Sequence, residues 1–106
     1  MSQPAPSPVP YGVYPSGRVS GELRALIQRA TAAGRGPAAL DALKRLYHIL
    51  RIYPQHGEPL RDLNQIGETL RTLVVPPLVV RYVLDEPQRA VFIGDPIKAM
   101  KNAGFQ

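Results

Sequence analysis

The chain has 106 residues, no cysteine and a formal charge of +5, and ten of its 13 basic residues are arginine. That length suits one small domain. The lack of cysteine excludes disulfides and thiolate metal sites, and no apolar run reaches the roughly 20 residues that span a bilayer. The N-terminus has neither the basic nor the continuous apolar section of a secretory signal, so the expectation is a cytoplasmic protein that does not engage a membrane. Positive charge carried mostly by guanidinium forks points to nucleic acid or an acidic protein as partner.

Residues 1–10 place proline at Pro4, Pro6, Pro8 and Pro10 and carry no charged side chain. Proline fixes φ and pushes its predecessor toward extended geometry, which predicts a flexible, polyproline-like tail. Tyr11–Tyr14 reads as a short edge strand limited by Pro15, which lacks a ladder donor. Ser16-Gly17 supplies a turn and a candidate N-cap, with Ser20 the alternative.

The first helix is predicted from Arg18 to Ala33. Val19, Leu23, Leu26, Ile27 and Ala30 share one face at helical spacing. Gly34 is the expected stop, in the left-handed conformation glycine adopts without a Cβ penalty. The second helix is predicted to begin at Pro37, a residue favoured at the first helical position, and to run to Tyr53 before Pro54. Leu40, Leu43, Leu46, Tyr47, Leu50 and Tyr53 form its expected buried stripe, with Lys44, Arg45, His48 and Arg51 on the other side. The short Arg35-Gly36 link predicts an antiparallel hairpin. A loop follows from Gly57 through Leu63, Ile66 and Gly67.

Three strands are expected next, at about 69–75, 78–84 and 89–94, divided by Pro76-Pro77 and Asp85-Glu86-Pro87-Gln88. In the first, Leu70, Thr72 and Val74 oppose Arg71, Leu73 and Val75; in the second, Val79, Arg81 and Val83 oppose Leu78, Val80, Tyr82 and Leu84. Both faces are largely apolar. One is expected to meet the helices and the other to stay partly open as a partner surface. The fold class is α+β, a helical hairpin packed on a small antiparallel sheet. The folded domain is set at 11–98, with 99–106 a C-terminal tail. His48 and His56 lack a second ligand at metal-binding spacing, so no metal site and no cofactor are expected.

The order of elements, β-α-α-β-β-β, resembles the RelE/ParE superfamily of bacterial toxins from type II toxin–antitoxin systems. Leu50-Arg-Ile-Tyr-Pro54 followed by Gly57-Glu-Pro-Leu-Arg-Asp-Leu63 is similar to the family's passage out of its second helix. Leu70-Arg-Thr-Leu-Val-Val75, Leu78-Val-Val-Arg-Tyr-Val-Leu-Asp85 and Arg89-Ala-Val-Phe-Ile93 resemble its closing strands. The resemblance implies a growth-inhibiting toxin neutralised by a cognate antitoxin, acting by ribosome-dependent mRNA cleavage or by poisoning DNA gyrase. It also implies Arg71, Arg81 and Lys98 as candidate catalytic residues that stabilise charge on the reacting phosphate. Lys44, Arg45, Arg51 and Arg89 are implied contacts for nucleic acid or antitoxin. The family arginine expected three residues before Tyr82 is Val79 here, and the usual closing His/Lys-Arg pair is reduced to Lys98. These departures leave a second reading open, a binding or adaptor module that kept the fold without the chemistry.

Overall fold

A computed structural model describes residues 9–62 and 67–105. Most of the proline-rich stretch, and the loop positions Leu63 and Ile66, lie outside them. The elements are β1 (Gly12–Pro15), α1 (Gly17–Ala32), α2 (Gly36–Ile52), a single 3₁₀ turn at Pro54–His56, β2 (Glu58–Asp62), β3 (Glu68–Val75), β4 (Leu78–Asp85), β5 (Ala90–Ile93) and β6 (Lys98–Ala99). Two helices thus pack on a six-stranded sheet of order β1-β5-β4-β3-β2, with β6 pairing β4 beyond the end of β5.

Of the two candidate caps for α1, Ser16 is the one used: its hydroxyl accepts the Val19 N–H at 3.2 Å. Gly34 takes φ +74° and ends the helix as expected. Val19, Leu26 and Ala30 are buried, with Leu23 and Ile27 half-buried beside them. In α2 the buried residues are Ala39, Ala42, Leu46 and Leu50. The expected stripe is therefore corrected at its ends, because Leu40 and Tyr53 face solvent. Small Ala39 and Ala42 let the helix sit close to its neighbours, and this rotates Leu40 outward.

The expected loop after Gly57 is also corrected. Glu58–Asp62 pairs antiparallel with β3, with a bulge between Pro59 and Arg61. Proline and a bulge disguise an edge strand in the sequence, since both break the period-2 pattern. The sheet is mixed, not purely antiparallel: β1 runs parallel to β5, with Tyr14 opposite Phe92. The segment 99–105 does not stand apart as a tail. Met100 N–H donates to Pro77 O, and Ala103 and Phe105 are buried in the core.

Strand alternation holds as read. Leu73, Val75, Leu78, Val80, Tyr82, Leu84, Val91 and Ile93 point toward the helices and are buried. Full burial of each large aliphatic side chain contributes roughly 1.5–3 kcal/mol. The opposite face of the same strands has no layer upon it among the described residues.

Candidate functional site

The open face is built from cross-strand rows. One row runs Tyr14, Phe92, Val83, Leu70 and Arg61 across five strands. The next holds Arg81 opposite Thr72, and a third holds Lys98, Val79 and Val74. The Tyr14 and Phe92 rings stack with centroids 5.7 Å apart. Gly12 makes this possible: a Cβ there would clash with the Tyr14 hydroxyl and meet its ring at 2.7 Å, so the side chain lies back over bare backbone. Tyr14 remains 57% exposed and Phe92 38%.

At one end of this face lies an open groove of about 670 Å³. Thr72, Val79 and Arg81 come from the sheet, Asp95, Pro96 and Lys98 from the segment after β5, and Arg18 and Glu22 from α1. A second recess of about 410 Å³ continues from it between α1 and residues 96–99. Arg81 and Lys98 therefore share one groove, with the Asp95 carboxylate among its walls. Such a site can receive an anionic group between two cations, and an exposed carboxylate is available to take a proton. Val79 lines the same groove with an aliphatic side chain.

Arg71 sits elsewhere. It points toward the helices opposite Tyr82, and its Nη1 donates to Gln55 O at 3.1 Å and Gly57 O at 2.7 Å. The Tyr82 hydroxyl donates to Pro54 O, and the side chain is almost fully buried. Burial pushes the Tyr82 phenol up to about 12, with the Arg71 guanidinium and the Gly57 backbone pulling weakly the other way. Together Arg71 and Tyr82 satisfy the carbonyls of the turn that joins α2 to β2, groups that would otherwise be left unpaired.

The four basic residues expected to bind nucleic acid or antitoxin are dispersed. Lys44 and Arg51 are exposed on α2, and Arg51 lies 5.9 Å from the Tyr47 ring centre. Arg45 pairs with Asp41 at 3.2 Å. Arg89 occupies the β4–β5 turn at φ +50°, with its guanidinium 4.3 Å from the Tyr11 ring centre and a hydrogen bond to Val9 O. Burial also raises the Tyr47 phenol, offset in part by Arg51.

Sequence reasoning did not single out Tyr14, Phe92, Thr72 or Asp95. The alternation in β1 and β5 puts Tyr14 and Phe92 outward, but their adjacency depends on parallel pairing, which no local pattern reveals. Asp95-Pro96 ahead of Lys98 was the available signal for the groove wall.

Among the described residues no helix is long and apolar enough to cross a membrane. No protein-family model matches the chain, and no curated protein matches it. Among solved structures, a chain of the chromosomal ParDE TA system from P. aeruginosa matches with a TM-score of 0.56 and 16% identity, over 86% of this chain and 97% of that one. At that identity the likeness is one of fold, and this chain has the RelE/ParE-like α+β architecture seen in the ParDE structure.

Proposed function

We propose that the chain is a toxin-like protein of a type II toxin–antitoxin pair, whose open sheet face engages the target and is covered by an antitoxin segment in the paired state. The observation that carries this reading is the unpartnered row Tyr14–Phe92–Val83–Leu70, on a fold shared with a ParDE chain. An aromatic and aliphatic centre with cations at its margin is the composition of a protein interface core and rim. Arg61, Arg81 and Lys98 supply that margin.

In the RNase form of this reading, Arg81 and Lys98 hold the scissile phosphate and stabilise its developing charge. Arg71 supports the frame from the opposite face. In the gyrase form, the same face binds protein and needs no chemistry. The specific observation favouring a non-catalytic adaptor is Val79, which puts an aliphatic side chain where the resembled family carries arginine.

Induced expression in a bacterium tests the reading. Growth should slow, and co-expression of a small neighbouring open reading frame should restore it. Primer extension on cellular mRNA and plasmid supercoiling then separate the two toxic modes. If mRNA is cleaved, Arg81→Ala should lower cleavage about 10²–10³-fold, the usual effect of removing a transition-state charge stabiliser. Normal growth at high expression, with translation and supercoiling untouched, would leave the adaptor.

A further inference from the structure

The excess charge of the chain is segregated. Residues 17–52, the helical hairpin, hold seven of the 13 basic side chains and two of the eight acidic ones, whereas the remainder holds six of each. The whole +5 therefore belongs to the helical layer. Both of its acidic side chains are already matched, Glu22 with Arg18 at 3.0 Å and Asp41 with Arg45 at 3.2 Å. Arg24, Arg29, Arg35, Lys44 and Arg51 are exposed and form no ion pair among the described residues.

Helix stability accounts for only part of this. Arg29 and Arg51 lie in the last turns of α1 and α2, where a cation complements the helix dipole. Arg35 is the N-cap residue of α2, where a cation has the wrong sign for that dipole. Arg24 and Lys44 lie within their helices, where the dipole favours neither sign. Each stands ten residues from Gly34, so the antiparallel hairpin sets them level on neighbouring helices. Helix axes in contact are about 8–10 Å apart, and Arg51 follows Lys44 by about 10 Å along α2. The result is a cationic ridge across both helices. Its exposed large apolar side chains among the described residues are Leu40, Ile52 and, at the C-cap of α2, Tyr53. A protein partner would need a contiguous apolar core with cations at its rim, whereas here the cations hold the middle of the face; a phosphodiester chain needs only cations.

We propose that the solvent face of the helical hairpin, with Arg24, Lys44 and Arg51 as contacts, binds the phosphodiester backbone of nucleic acid without reading its sequence. This goes beyond the toxin reading and does not depend on it. Contacts confined to phosphate give binding that is independent of sequence and steeply dependent on salt. Three such contacts correspond to a slope of log K against log salt of about −2.7 on duplex DNA and about −2.1 on a single strand.

The test is fluorescence anisotropy of the full chain with a labelled mixed-sequence DNA duplex and, separately, a labelled single-stranded RNA, from 50 to 200 mM salt. The triple variant Arg24→Gln/Lys44→Gln/Arg51→Gln should weaken binding at least about tenfold at low salt and flatten the duplex slope by about 2–3. Two single variants remove equal charge: Lys44→Gln, on the ridge, should flatten the slope by about 1, whereas Lys101→Gln, outside both the ridge and the groove, should stay within about twofold of the parent. All four side chains are exposed, circular dichroism confirms that each variant is folded, and the single variants carry the test if the triple variant does not fold. Tighter binding of the duplex names DNA as the source of the phosphates, and tighter binding of the single strand names RNA. Equal loss in Lys44→Gln and Lys101→Gln, no binding by the parent, or displacement of nucleic acid by an equal concentration of polyglutamate would overturn the proposal.

Discussion

The helical layer and the open sheet face divide the surface chemistry of this molecule. The helices carry all the net charge and show few apolar side chains to solvent. The sheet face has an aromatic and aliphatic row with cations at its margin, in a remainder of the chain whose formal charges balance. A single average such as +5 hides this division, which becomes visible only when charges are assigned to layers. That contrast is what the two proposals, one for each face, rest on. The buried side of the sheet, which shares its backbone with the open face, supplies the internal control.

The largest contrast should appear between the two faces in stability. Leu46→Ala, at a fully buried position of α2, should cost about 2–5 kcal/mol in urea denaturation through lost transfer energy and a cavity. Val74→Thr, on the open face, should change stability by less than about 0.5 kcal/mol, the usual range for surface substitutions. Comparable losses at the two positions would mean that the open face is covered in solution. Leu40→Ala sharpens the same point on α2, because its 44% exposure predicts a small effect where the apolar pattern alone predicts a large one.

A smaller effect is expected where β2 joins the sheet. A Cβ at Gly57 would clash with the Tyr82 hydroxyl and stand 2.9 Å from the Thr72 carbonyl oxygen. The Thr72 contact is backbone and cannot swing away, so Gly57→Ala should destabilise by about 1–3 kcal/mol. A neutral result would show that β2 is more loosely attached than its pairing with β3 implies.

The mildest probe is pH. The phenol of Tyr82 is pushed up to about 12 from an ordinary value of 10.0. Below pH 10 this group is protonated folded or unfolded and adds no pH dependence. Between about pH 10 and 12 the unfolded chain gives up the proton while the folded chain keeps it, so stability falls as pH rises. Tyr82→Phe should remove that component of the alkaline loss, read as a shallower fall of the unfolding midpoint above pH 10. An unchanged slope would argue against a buried, protonated Tyr82.

The same contrast explains what the sequence made legible. Helix limits, the Gly34 stop and the inward residues of β3 and β4 follow from local periodicity, and those periods survive folding because one face of each element is buried. The inner residues of α2 were misjudged because apolar identity favours Leu40 and Tyr53, whereas close packing selected Ala39 and Ala42. The strand Glu58–Asp62 was hidden by Pro59 and a bulge. Arg81 and Lys98 were legible as candidates, but their meeting with Asp95 in one groove depends on β6 folding back on β4. Arg71 looked equivalent to Arg81 in sequence. Alternation groups Arg71 with Leu73 and Val75 and Arg81 with Val79 and Val83 without saying which group faces the helices, and β3 and β4 pair Arg71 with inward Tyr82 and Arg81 with outward Thr72. Only the pairing reveals that one arginine supports the frame and the other faces the groove.

The central proposal is that the open sheet face is the working surface of a toxin-like protein. Growth after induced expression of three chains tests it most directly: the parent, Val83→Glu/Phe92→Glu on the sheet, and Arg24→Gln/Lys44→Gln on the helices. Matched expression and circular dichroism confirm that all three are present and folded. The account predicts arrest by the parent, relief of arrest by the sheet variant, and arrest close to parental by the helix variant. A harmless parent, or a sheet variant as toxic as the parent, would contradict it.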